Sequence, residues 1–287
     1  MKRIAFVLYR SWAYDIFQNV NREVGLYPNV QIPLLITTPE MEFRPPTLQG
    51  IDVITMAGND QNKLFETLKQ YDINTAFFYG WSWIVKEPII SDFTCVCLHP
   101  SALPQYRGGS PIQNQIIAGE TQSAVSIIKM SVGIDDGDLY TQIPFDLKGY
   151  LPDILGRITE AGTVGTKQYL ADLSEGVVKF IPQTNLDKYP PLKRRSPAES
   201  VLSLESLKDM TYMQLYNLVR GLQTPYPMVD IKNGEQHLLV EKLEYSHELP
   251  DGVKLLSSDD TTDLHFPLGL KLSDGFALVT KGQSNNI

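Results

Sequence analysis

Short apolar runs bounded by turn residues recur through the first hundred positions: RIAFVLY (3–9), VQIPLLIT (30–37), IDVITM (51–56), NTAFFYG (74–80) and TCVCLH (94–99). Their length, and their content of β-branched and aromatic residues, predict strands. Between them YDIFQNVNREVGLY (14–27) and NDQNKLFETLKQY (59–71) repeat their apolar residues at helical spacing. Strand and helix in alternation imply a mostly parallel sheet flanked by helices, an α/β domain. SPIQNQIIAGE (110–120) predicts a helix with Pro111 in its first turn, and SAVSIIKM and GDLYTQIPF two more strands. A long helix over 151–176, with glycines and threonines in its middle, closes this domain.

The pattern then changes. Residues 184–204 carry the prolines and charges of a linker, which sets boundaries at 1–183, 184–204 and 205–287. TYMQLYNLVRGLQ (211–223) predicts one helix, and MVDI, EQHLLVEKLEY, GVKLLS and GLKLSDGFALVTK predict strands separated by turns. The C-terminal domain is expected to be small and β-rich, most simply an open barrel.

Composition narrows the function. The chain of 287 residues is 43% hydrophobic with formal charge −8, and residues 183–287 hold 11 Lys and Arg against 14 Asp and Glu. That balance predicts no nucleic-acid partner, because phosphate backbones are bound by clustered cations, and KRR at 193–195 is the one basic run. No apolar run approaches the roughly 20 residues of a membrane span, and the apolar start ends at Arg10 with no small-residue cleavage site, so a cytoplasmic protein is expected. Cys95 and Cys97, two apart on one strand, would make a strained disulfide and are expected as free thiols.

Chemistry concentrates at CVCLHPSALPQYRGGSP (95–111). In a doubly wound sheet ligands bind beyond the carboxyl ends of the strands, where His99 falls, followed by Pro100 and a Gly-rich loop. An imidazole there suits general-base work at neutral pH. GIDDGD (133–138) offers Asp135 or Asp136 to orient it, or else makes a simple turn, and spacing does not choose. Cys97 could be a nucleophile activated by His99, a zinc ligand with Cys95 and His99, or a core cysteine. No G-x-G-x-x-G follows the first strand, so a nicotinamide fingerprint is missing. YRSWAYDIF stands there instead, where Arg10, Ser11 and the helix start could meet an anion such as a diphosphate, or Arg10 could be solvated and Trp12 core.

LHPSALPQYRGGSPIQNQIIAGE followed by GIDDGD resembles the N10-formyltetrahydrofolate-dependent formyltransferases, and the likeness extends over most of residues 1–180. The resemblance implies a Rossmann-like formyltransferase domain and an N-formyltransferase using N10-formyltetrahydrofolate as co-substrate, with no metal. Carried over, the histidine and aspartate of the family's catalytic set are His99 and Asp135, and its asparagine position holds Cys97. An amide donor to the formyl oxyanion is thus replaced by a weaker S–H. YGWSWIV (79–85) resembles the pterin-binding segment, which implicates Trp81, Trp83 and Val85, chiefly through their backbones, with Val132, Gly133 and Ile134 closing the other side. Tyr106, Arg107 and Gly108 are expected at the substrate.

The GW loop (80–81), YPPLKRRSPAES and RGLQTPYP (220–227) look most like the sugar branch of that family, whose acceptor is a nucleotide-linked amino sugar. A UDP-linked 4-amino-4,6-dideoxy sugar of the pseudaminic acid route leads, with a dTDP-linked amino-dideoxyhexose behind it. A homodimer is the family-based expectation. The alternatives are a methionyl-tRNA formyltransferase-like enzyme and a non-catalytic nucleotide-sugar or folate binding protein that lost the chemistry at Cys97.

Overall fold

The computed structural model describes residues 1–41, 45, 47–257, 260 and 265–286. Seven strands make the first sheet: β1 (Lys2–Leu8), β2 (Val30–Thr37), β3 (Asp52–Thr55), β4 (Thr75–Tyr79), β5 (Thr94–His99), β6 (Gln122–Lys129) and β7 (Leu139–Asp146). Their spatial order is β3-β2-β1-β4-β5-β6-β7, parallel through β5, with β6 alone reversed so that the β5–β6 and β6–β7 pairings are antiparallel. The order reverses between β1 and β4, so the crevice of a doubly wound sheet opens at their carboxyl ends, beside β5.

Helices α1 (Ser11–Asn21), α2 (Gln61–Gln70), α3 (Ile89–Asp92), α4 (Pro111–Ile117) and α5 (Leu151–Glu175) accompany this sheet in the chain. The helix expected over 14–27 begins earlier and ends at Asn21. Its buried stripe of Trp12, Ala13, Tyr14, Ile16, Phe17 and Val20 reaches back to the first turn, while Gly25 lies in a short turn beyond it. The glycines of α5 do not interrupt it, and two of them, Gly162 and Gly165, let it lie close to its neighbours. A Cβ on Gly162 would stand 2.5 Å from Ile16 Cδ1 and 2.8 Å from Leu98 Cδ1. The Thr159, Thr163 and Thr166 hydroxyls donate to carbonyls one turn back, so they are satisfied inside the helix.

A second sheet, of order β11-β12-β13-β10-β9-β8, contains β8 (Val201–Ser203), β9 (Val229–Asn233), β10 (Gln236–Ser246), β11 (Lys254–Leu255), β12 (Leu268–Leu272) and β13 (Gly275–Asn286). Its end strands stay apart, an open half-barrel, and α6 (Tyr212–Gly221) contributes Leu215 and Val219 to its core. The chain divides into two compact units. One comprises 1–111, 122–146 and 155–192, and the other 112–121, 147–154 and 193–287. Part of the segment read as linker is therefore structured: 197–200 form a turn and Val201–Ser203 pair in parallel with β9. Among the described residues no helix is long and apolar enough to cross a membrane.

Candidate active site

His99 ends β5 at 5% exposure, paired across the sheet with Ser126. The loop that follows is pinned by hydrogen bonds. Ser101 donates to Gln105 O (2.6 Å), Ser126 Oγ donates to Ser101 O and accepts from Leu103 N, and Gln142 Nε2 donates to Leu103 O. The loop turns back through Tyr106, whose left-handed backbone (φ 57°) presents its carbonyl to His99. His99 Nε2 donates to Tyr106 O at 2.9 Å, which fixes the tautomer and leaves Nδ1 facing Asp135 Oδ2 at 3.4 Å.

Asp135 is held by its own backbone and by Gly108. It too is left-handed (φ 49°), and its Oδ2 accepts the Gly108 N–H at 2.8 Å. Asp136 points elsewhere: Ser131 Oγ donates to its carboxylate, which folds back over Gly133. Of the two aspartates spacing could not separate, only Asp135 faces the imidazole. Burial first, and the Asp135 carboxylate second, push the Cys97 thiol well above its ordinary range. At neutral pH it is an S–H donor rather than a thiolate, which removes the basis for a Cys97 nucleophile. Burial likewise pushes Cys95 up to about 12, and both thiols are free. Among the described residues no group of three or more His, Cys, Asp or Glu is arranged to hold a metal ion.

A second group gathers at the carboxyl ends of β1 and β4. Trp83 lies against Gly58, with ring centroids 4.9 Å from Trp81 and 5.1 Å from Tyr9. Tyr9 Oη and Ser82 Oγ share a 2.6 Å hydrogen bond, and the Arg10 guanidinium sits 4.6 Å over the Tyr9 ring, just before Ser11 opens α1. The Val85 side chain is in the core, so its backbone is what it can offer a ligand. Val132 and Ile134 are 77% and 50% exposed, an apolar surface on the loop that carries Asp135.

Arg107 departs from the substrate-facing role expected of it. It is 7% exposed, and its guanidinium donates to the backbone carbonyls of Tyr189, Leu186 and Ile134. With Gly109 N to Leu192 O and Leu192 N to Arg107 O, both 2.8 Å, it stitches segment 186–192 to the loop after His99. Gln183 escaped the sequence reading altogether, since IPQT after α5 has no periodicity or motif to mark it. Its Nε2 donates to Asp135 O (2.9 Å) and Gly137 O (2.7 Å).

Residues 31–148 match the model of the formyl transferase family. The chain is 29% identical over 255 residues to the methionyl-tRNA formyltransferase of Clostridium acetobutylicum, covering 84% of this chain and 73% of that protein. Among solved structures it is similar to HypX from Aquifex aeolicus in complex with tetrahydrofolic acid (TM-score 0.69, 14% identity, 98% of this chain and 44% of that one). It is also similar to a likely sugar N-formyltransferase from Mycobacterium tuberculosis (TM-score 0.62, 14% identity, 80% and 92%). The enzyme class is an N-formyltransferase. The tRNA-directed relative does not support the expectation that nucleic acid is excluded.

Proposed function

We propose that this N-formyltransferase moves a formyl group from N10-formyltetrahydrofolate to the amine of a nucleotide-linked amino-deoxy sugar. The observation that carries formyl transfer is the His99–Asp135 pair at the carboxyl end of β5, with Nδ1 left as the base. The neutral amine attacks the formyl carbon, and His99 Nδ1 accepts the amine proton. Asp135 stabilises the imidazolium so formed. The bond from the formyl carbon to folate N10 then breaks, and the proton passes to N10, so charge and atoms balance. The Cys97 S–H is one donor toward the tetrahedral oxyanion, and the protonated ring of His99 is a second. The Trp81 and Trp83 rings and the exposed apolar loop at 132–134 supply flat and apolar surface of the kind a pterin needs.

The sugar acceptor is supported by charge. At −8 overall, and with 11 cations against 14 anions in residues 183–287, the chain is acidic, and KRR at 193–195 is its one basic run, a composition that disfavours a polyanionic acceptor. The UDP-linked 4-amino-4,6-dideoxy sugar is the leading member, and a dTDP-linked amino-dideoxyhexose the next. A methionyl-tRNA acceptor is the second reading, favoured by the Clostridium acetobutylicum relative. The test is tetrahydrofolate release from N10-formyltetrahydrofolate with UDP-, dTDP- and GDP-linked amino sugars and, separately, methionyl-tRNA, using His99→Asn as control. Release dependent on a sugar supports the first reading. Release dependent on methionyl-tRNA alone replaces it with the second.

A further inference from the structure

We infer that Gln183 is a positioning residue of the reaction, holding the turn that aims Asp135 at His99. The inference rests on the reading of Asp135 as the partner of His99. Asp135 is a non-glycine residue in the left-handed region (φ 49°), a conformation that persists where the surroundings over-determine it. Those surroundings are side chains reaching backbone carbonyls on successive sides of the turn. Arg107 Nη1 donates to Ile134 O at 3.3 Å, and Gln183 Nε2 donates to both Asp135 O and Gly137 O.

The orientation of the Gln183 amide is fixed by chemistry, since both groups it faces are acceptors, and turning it would set oxygen against oxygen. Its Oε1 is buried with no hydrogen-bond partner, so the side chain gives up one polar group to keep its donors on the turn. Its own backbone is anchored from the same place. Ile181 and Leu139 exchange a pair of 2.8 Å hydrogen bonds at the start of β7, which sets Gln183 beside the exit of the 133–138 loop. Gln183 acts at one remove, through the backbone of the residue that faces the base.

The test pairs Gln183→Met, which keeps volume and removes both donors, with Asp135→Asn and the double variant. It measures kcat, both KM values and, by NMR of ring-labelled histidines assigned with His99→Asn, the titration of His99. Gln183→Met is expected to lower kcat about 10- to 100-fold, the scale of an ångström of misplacement at a reacting group. Both KM values stay within threefold, and the His99 midpoint moves in the same direction as in Asp135→Asn. In the double variant kcat falls no further than in Asp135→Asn alone, because Gln183 works only through that carboxylate.

A kcat within twofold of wild type, a loss that multiplies with that of Asp135→Asn, or an unmoved His99 titration would overturn the inference. Full activity in Asp135→Asn would instead overturn the reading of the pair itself. The NMR measurement needs no acceptor, so it decides on Gln183 even if every acceptor offered is refused. If Gln183→Met does not fold, Gln183→Asn keeps the amide and withdraws it by one methylene, with the same outcomes expected on a smaller scale.

Discussion

Replacing Asp135 by asparagine isolates the charge in the proposed mechanism. The amide oxygen can still accept the Gly108 N–H, now at 2.8 Å from Oδ2, so the loop keeps its anchor while the imidazolium formed in the reaction loses its counter-charge. Unit charges 3.4 Å apart interact by about 5 kcal/mol at an effective dielectric constant of 20. The Asp135 side chain is 21% exposed and already holds an N–H, so roughly half of that, about 2.5 kcal/mol, is expected in the transition state. That corresponds to a fall in kcat of about 70-fold. The assay is tetrahydrofolate release under saturating substrates, with thermal unfolding recorded alongside to show that the variant is folded. A kcat within threefold of wild type in a folded protein would show that no imidazolium develops beside Asp135, and His99 could not be the base.

Three further outcomes follow from the same geometry. Cys97→Ala should cost less than about tenfold in kcat, because an S–H is a weak donor, while Cys97→Asn should raise kcat by supplying a full amide donor; steady-state kinetics of both decides. Gly108→Ala should lower the melting temperature and kcat together, since at φ +91° its Cβ is strained and collides with Leu192 O, moving the N–H that holds Asp135. Alkaline pH should destabilise the fold through Cys95. With its thiol near 12 when folded against 9.0 when unfolded, the stability it lends is complete below pH 9 and lost as pH rises toward 12, by about 4 kcal/mol in all. Urea unfolding at pH 8 and 10.5 should show a shallower decline in Cys95→Ala than in wild type, and equal slopes would refute the assignment.

What could be read from the chain depended on whether the cause was local. The runs at 30–37 and 94–99 gave strands with those bounds, because an apolar segment between turn residues carries its own start and stop. β8 was hidden among prolines, since three residues have no periodicity and become a strand only by pairing with β9. At the site, His99 was placed by its position at a strand end, and the choice of Asp135 over Asp136 came from resemblance alone. The two differ in backbone rotation and in which one Ser131 captures, and neither difference is written in the spacing G-x-D-D-G-D.

Arg107 and Gln183 show the same limit from opposite directions. A guanidinium in a Gly-rich loop announces a ligand, yet its targets are carbonyls of residues 134, 186 and 189, supplied by segments 27 to 82 positions away. An amide in an unpatterned tail announces nothing, yet the bridge between Leu139 and Ile181 delivers it to the turn that carries Asp135. In both cases the role is created by a backbone acceptor that every residue possesses, so no choice of side chain at the receiving position could have signalled it. The groups that hold the loop still became legible only when the carbonyls of Ile134, Asp135 and Gly137 could be seen, each with its donor.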